Sequence, residues 1–430
     1  MITPLAPVNS LEDRRRPVVL LAATLWWPLS ARLAIRFLEY GCRVVAVCPP
    51  GHYLRYVEGI EECLPYWGVR SLTSLERAIR KTVPDIVIPC DDPVVWQLHE
   101  LYRLRPDMRE VLEASLGAAT EFEIISRRDL LLQVAQTLGI SIPTTKLVSS
   151  EEEIHQWFAA GETAAVVKMD GTCGGEGVVI ARSEEQAKDA FRKFSQPTGF
   201  PAACKRLLIN RDPVSLWTWG KQAQTTISIQ QLIEGRPANS MLACWRGELL
   251  SMVSVEVLAS QGATGAAFLV RINENDEMNK AARLLAGRLQ LSGFCGLDFL
   301  IDQRTGLPYL IEMNPRCTQL GHLPLPGGND LAGALCAKLI GRACTTTTPF
   351  IERQVVAFFP QAERWCARKP QSYGIYLDVP HGQTRLVREL VRPTWPERQW
   401  ISRIYHFFHP ARTVDSVEYS PEGSQQTATA

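Results

Sequence analysis

The sequence predicts an α/β and α+β protein. A doubly wound α/β domain comes first, then a strand-rich unit built around a late hairpin, then a small α+β extension. Three observations carry this reading. Between Pro17 and Tyr102 short apolar runs alternate with amphipathic ones, the pattern of a parallel sheet with covered faces. From Ala164 to about Val257 strand-like runs dominate. The composition then changes after Thr345-Thr346-Thr347-Thr348-Pro349.

Residues 1–16 are polar and Pro-rich and are expected to be a loose leader. Val18–Ala23 reads as a buried strand, and Ser30–Tyr40 as a helix stopped by Gly41. Arg43–Cys48 is a second strand, closed by Pro49-Pro50-Gly51. Ser74–Lys81 is helical, Asp85–Pro89 a buried strand and Val94–Tyr102 a helix. This first domain is expected to span 17–120. After its first strand the chain reads Ala22-Ala23-Thr24-Leu25-Trp26-Trp27, not G-x-G-x-x-G, which argues against a dinucleotide site of the Rossmann kind. Asp91-Asp92 follows the third strand. It is expected to cap the next helix, with substrate contact as the alternative.

The helix Leu130–Leu138 ends at Gly139-Ile140-Ser141-Ile142-Pro143, and Glu151–Ala160 is helical. Further on come a turn at Arg246-Gly247, the helix Glu277–Leu289, a hairpin over Cys295–Met313 and the helix Asn329–Ile340. Residues 351–412 hold ten basic against five acidic side chains. That region reads as a solvated face, a site for an anionic substrate, or a dimer surface. The tail 413–430 has no basic residue and is rich in Ser, Thr and Gln, so disorder is expected there.

The chain has 430 residues, 46% of them apolar and 21% charged, with a net charge of +1. Those values suit a globular protein with a sizeable core and give no pointer to a nucleic-acid partner. The 12 cysteines include no C-x-x-C pair, so they read as reduced core residues of a cytoplasmic protein rather than zinc ligands. Arg14-Arg15-Arg16 before the apolar run Pro17–Leu29 resembles a signal peptide. Trp26, Trp27 and Pro28, with the helical spacing beyond them, fit a buried strand and helix better. No other run nears the roughly 20 apolar residues that span a bilayer.

Two constellations carry chemistry. In Val166-Val167-Lys168-Met169-Asp170-Gly171-Thr172-Cys173-Gly174-Gly175-Glu176-Gly177, a strand enters a loop rich in glycine. Glycines let backbone N–H groups converge on phosphate oxygens, and Lys168 offers a point charge. The order differs from a P-loop, because the lysine precedes the glycines. An ordinary glycine-rich turn is the competing reading.

The second constellation is Gly296-Leu297-Asp298-Phe299, returning through Ile311-Glu312-Met313-Asn314-Pro315-Arg316. Glu312 and Asn314 share a strand face. Pairing 302 with 308 places 298 opposite 312, so two carboxylates oppose each other unless a cation lies between them. Two carboxylates and an amide oxygen are hard ligands suited to Mg²⁺ beside nucleotide phosphates. Arg316 offers a fork for a carboxylate or phosphate. The competing reading is a pair of exposed strand residues.

In this order and spacing, these residues resemble the ATP-grasp superfamily, together with Gln230-Gln231-Leu232-Ile233-Glu234-Gly235 and the segment ending at Pro143. The resemblance covers roughly 120–345. It implies an ATP-grasp domain of two subdomains at 121–345, preceded by the α/β domain and followed by a C-terminal domain at 346–412. It implies ATP and one or two Mg²⁺ ions, with Mn²⁺ as an alternative. By resemblance, Lys168 contacts the α-phosphate and adenine side, and the Gly171, Gly174, Gly175 and Gly177 loop closes over the β- and γ-phosphates. Gln231 and Ile233 read the adenine edge through the backbone, and Gln230 and Arg128 are further ATP-binding residues. Asp298, Glu312 and Asn314 hold metal, and Arg316 steadies the γ-phosphate, the substrate carboxylate or the acyl phosphate.

Two positions depart from the family pattern: Arg128 replaces a lysine, and Pro237 stands where an acid binds ribose, with Glu234 nearby. Arg271 either adds charge near the transferring phosphoryl group or is an ordinary strand arginine. The implied activity is ligation of a small-molecule carboxylate to an amine, or less often a thiol. The alternatives are phosphorylation of bicarbonate and a regulatory protein that binds ATP without turnover.

Overall fold

The computed structural model describes residues 16–171, 177–196, 226–262, 265–326, 330–346, 349–368, 374–400, 402–404, 416–419 and 425–428. Its first sheet is parallel, as the strand–helix alternation predicts. β1 (Val18–Ala22), β2 (Arg43–Cys48), β3 (Glu62–Pro65) and β4 (Ile86–Pro89) lie in the order β3-β2-β1-β4. Helix α1 (Pro28–Glu39) connects β1 to β2, α2 (Ser71–Thr82) connects β3 to β4, and α3 (Asp92–Leu104) follows β4. Asp91 caps α3 by accepting from the Val94 N–H, and also accepts from the N–H groups of Thr24 and Leu25. β3 and the helix Arg109–Leu116 are not foreseen from sequence. β3 is a four-residue edge strand ending in proline, a position where a missing N–H costs no ladder bond.

A second sheet, of order β5-β8-β6-β7, is antiparallel: β5 (Thr145–Leu147), β6 (Ala165–Met169), β7 (Val178–Ala181) and β8 (Ile227–Gln231). The helices Glu151–Ala159 and Glu184–Ser195 cover it. They are capped by Ser150 and Ser183, and acidic residues fill both first turns. Ile154, Trp157, Val167, Ala187 and Ile229 form its separate core.

The largest sheet takes up the rest of the chain. β9 (Gly235–Trp245), β10 (Glu248–Gln261), β11 (Ala267–Ile272), β12 (Gly293–Asp302) and β13 (Pro308–Asn314) join β14 (Val355–Phe358) and β15 (Ile375–Asp378) in the order β13-β12-β9-β10-β11-β14-β15. The turn between β9 and β10 has Arg246 at φ 47° and Gly247 at φ 85°, the left-handed pair that matches strand twist in a two-residue hairpin. One face of this sheet packs on the helices Arg128–Thr137 and Asp276–Arg288. The other shares a continuous core with α1, the helix Leu331–Ile340 and residues Ile351, Val356, Phe358, Phe359, Leu386 and Leu390. The extension after residue 346 therefore adds strands to an existing sheet.

Two expectations change. The tail is not uniformly without structure: β16 (Ser416–Tyr419) pairs with the end of β10 at residues 259–261, past the point where β9 stops, and with β17 (Gln425–Ala428). Val417 and Tyr419 are buried on one face, a two-residue alternation that the polar composition of the tail hides. In the hairpin, 308 pairs with 301 rather than 302. A bulge between the 299–310 and 298–312 pairs then restores Asp298 opposite Glu312.

Candidate nucleotide and metal site

A cleft of ≈ 650 Å³ opens between the β5–β8 sheet and the large sheet, with α3 and the β1–α1 turn at one end. That size suits a small-molecule ligand. Lys168, Asp170 and Gly171 enter it from β6, and Gln230 to Gly235 form its hinge wall. Asp298, Glu312, Asn314 and Arg316 enter from the β12–β13 hairpin, and Arg128 from the start of its helix. The lysine and glycine side and the acidic hairpin thus face a common space.

The acidic hairpin is tightly wired. Asp298 accepts from Asn239 Nδ2 at 2.6 Å and from Asn314 Nδ2 at 2.9 Å. Burial, then Glu312, pushes its pKa up to about 6. Arg128 donates to Asp170 at 2.8 Å and to Glu312 at 2.9 Å, so it bridges the two sheets. Burial opposes ionisation of Glu312, but Arg128 and Lys168 outweigh it and hold its pKa below the usual range. The Glu312 side chain keeps 36% of its surface, open to the cleft. Burial raises the Asp170 pKa. Burial, then repulsion from Arg128, lowers Lys168 to about 8.

Arg316 is buried at the far end, its Nε 2.9 Å from Asp92 Oδ1. Burial opposes its charge, yet Asp92 leads the interactions that raise its pKa. Its guanidinium carbon stands 5.6 Å from the Trp27 ring centre. The buried Nε atom of Arg128 has no hydrogen-bond partner among the described residues.

The hinge keeps two donors for itself: the Gln231 N–H donates to the Thr144 carbonyl at 2.8 Å, and Gln230 Nε2 donates to Thr145 Oγ1 at 2.9 Å. Ile233 lines the cleft, as do Glu234 and Pro237. Gly177 closes the glycine loop, its carbonyl accepting from Met169 N–H at 2.8 Å. Gly174 and Gly175 lie outside the described residues.

Arg271 is a correction. Its neighbours Val270 and Ala267 line the cleft, but Arg271 does not; it sits beside Glu256 and Val355 within the sheet. Strand alternation turns it away from the face that Val270 presents. Asp170 and Asn239 are site residues that sequence reasoning overlooks, while Asp92 lines the cleft, in keeping with the substrate-contact alternative for Asp91-Asp92. Asp170, two residues from Lys168, is the one with a local signal.

These donors suit Mg²⁺ with a triphosphate: two carboxylates set side by side with amides, facing the Arg128 guanidinium, whose Nε–H has no partner among the described residues.

The fold is that of ATP-grasp proteins. Residues 130–319 match the family model described as "ATP-grasp domain". The carbamoyl phosphate synthase large chain of Thermus thermophilus is 22% identical over 255 residues, covering 58% of this chain and 23% of that protein. This chain therefore spans about a quarter of that relative's length. N5-carboxyaminoimidazole synthetase from Staphylococcus aureus, solved with ADP, is similar with a TM-score of 0.54 and 12% identity, over 77% of this chain and 79% of that one. The biotin carboxylase domain of Hydrogenobacter thermophilus 2-oxoglutarate carboxylase was solved with MgADP, ADP and bicarbonate. It aligns with a TM-score of 0.55 and 14% identity, over 76% and 70% of the two chains. The family match is thus to the stretch 130–319 of this chain.

Proposed function

We propose that this protein is an ATP- and Mg²⁺-dependent ligase that activates a small-molecule carboxylate as an acyl phosphate for attack by an amine, or less often a thiol. One observation carries the reading: Lys168 and the acidic pair Asp298–Glu312 enter a single cleft from opposite sheets. Asp298, Glu312 and Asn314 would hold the metal, which when bound supplies positive charge to the phosphate oxygens. Lys168 and the backbone from Gly171 to Gly177 hold the triphosphate. Gln230, Gln231 and Ile233 wall the adenine, and Glu234 serves the ribose where Pro237 cannot.

Arg316 orients the carboxylate so that one of its oxygens attacks the γ-phosphorus in line. The bond to the β-phosphate oxygen breaks and ADP leaves. The nucleophile then attacks the acyl carbon, inorganic phosphate departs, and the amine loses a proton. Arg316 and Arg128 carry the charge that develops, in the place expected of Arg271. Closure of the cleft keeps water from the acyl phosphate.

Among the described residues, no helix is long and apolar enough to cross a membrane. Ten described cysteines are free thiols, which fits the reducing cytoplasm. The test is ADP release with carboxylates and amines offered singly and in pairs, bicarbonate included. Release that needs both a carboxylate and an amine supports the ligase. Release with bicarbonate alone points to carboxyphosphate formation, and ATP binding without release under any condition points to a sensor.

A further inference from the structure

A carboxylate drawn to Arg316 meets a second charge. Asp92 lies against that guanidinium, and its side chain is 19% exposed, toward the cleft. The preceding residue, Asp91, already supplies the cap of α3, so the helix start does not call for Asp92. Trp96 is four residues further along α3, on the same helix face, and also lines the cleft. Trp27 faces them from the start of α1. This end of the cleft thus presents one cation, one anion and two indoles.

That set selects by charge. A plain carboxylate that pairs with Arg316 comes to rest beside Asp92, and like charges in a partly buried site repel. A molecule with an ammonium close to its carboxyl group satisfies both charges together. Indole faces attract an ammonium and exclude water from it.

We propose that Asp92, Trp27 and Trp96 form an ammonium subsite beside Arg316, so that the activated substrate is a zwitterion whose ammonium lies one or two carbons from its carboxyl carbon. The inference rests on the ligase reading and narrows its substrate class to amino acids.

The test measures ADP release by the full chain with ATP, Mg²⁺ and hydroxylamine as a general nucleophile. The common amino acids are each paired with the acid that lacks the amino group. The expected result is turnover with at least one amino acid at a kcat/KM roughly 10–100-fold above its des-amino partner, the range of a charged hydrogen bond. Asp92→Asn erases that preference through KM, and Asp92→Glu restores part of it; calorimetric ATP binding by both variants serves as the control for folding. Equal turnover of the paired acids, or a preference unchanged in Asp92→Asn, overturns the subsite and leaves the ligase standing. Silence from every carboxylate with ATP still bound overturns the ligase reading, and the subsite with it.

Discussion

Asp298 and Glu312 face each other across the β12–β13 hairpin because a bulge near Ile311 shifts the returning strand by one residue. Without that extra residue, the 301–308 pairing would set Asp298 opposite Ile311, and the second carboxylate would turn to the other face. The bulge therefore builds the acidic pair. Arg128 and the amides of Asn239 and Asn314 hold that pair in the cleft.

Lys168 makes nucleotide affinity depend on pH. Its pKa is lowered to about 8, so in the free protein it is charged below that value and neutral above it. ATP favours the charged form, so its Kd should rise from about pH 7 to about pH 9, by at most roughly tenfold per unit. Lys168→Arg should flatten the profile. Calorimetry at a series of pH values checks this, and a flat wild-type curve would contradict the assignment.

Arg128 holds Asp170 and Glu312 together across the two sheets. Arg128→Ala leaves both carboxylates unpaired near Asp298. Stability without divalent metal should fall by about 1–3 kcal/mol. Mg²⁺ should restore part of the loss, because a cation held at Glu312 supplies positive charge that the guanidinium no longer gives. Thermal unfolding with EDTA and with Mg²⁺ reads both effects; the same Mg²⁺ response in wild type and variant would refute the bridge.

Arg316 and Arg271 should behave oppositely. Arg316→Ala removes the cation at the substrate end of the cleft and should lower kcat/KM by roughly 100-fold or more. Arg271→Ala, within the sheet beside Glu256, should stay within about threefold of wild type, a surface-like change. Steady-state ADP release by the two variants decides the matter, and a large loss in Arg271→Ala would reinstate it as a site residue.

Gly235 sets the hinge where β8 passes into β9. A Cβ there would lie 2.1 Å from the Ile301 carbonyl oxygen, a backbone atom that has little freedom to move. Gly235→Ala should cost about 1–3 kcal/mol by overpacking and should weaken ATP binding through the displaced hinge. Chemical denaturation together with nucleotide titration checks both; unchanged values would mean the hinge yields freely.

Much of this was legible because the signals are local. Alternating runs marked β1, β2 and β4. Adjacent apolar residues flanked Asp298 and Glu312, and Lys168 stood at the mouth of a glycine loop. The bulge was not legible: the expected 302–308 register reached the right acidic pair by a different alignment, since one extra residue leaves no compositional mark. The Arg128–Asp170 and Asp92–Arg316 pairs join residues 42 and 224 positions apart, which only the fold brings together. β16 escaped notice because three buried or half-buried side chains in a polar tail are too few to outweigh its composition.

The most direct test of the shared cleft is calorimetric titration of ATP into wild type and Asp298→Asn, with and without Mg²⁺. Mg²⁺ should tighten binding to the wild type. The variant should keep its metal-free affinity, through Lys168 and the hinge, and lose the increment that Mg²⁺ adds. An equal Mg²⁺ increment in both proteins would contradict the account, since the acidic hairpin would then hold no metal at the nucleotide.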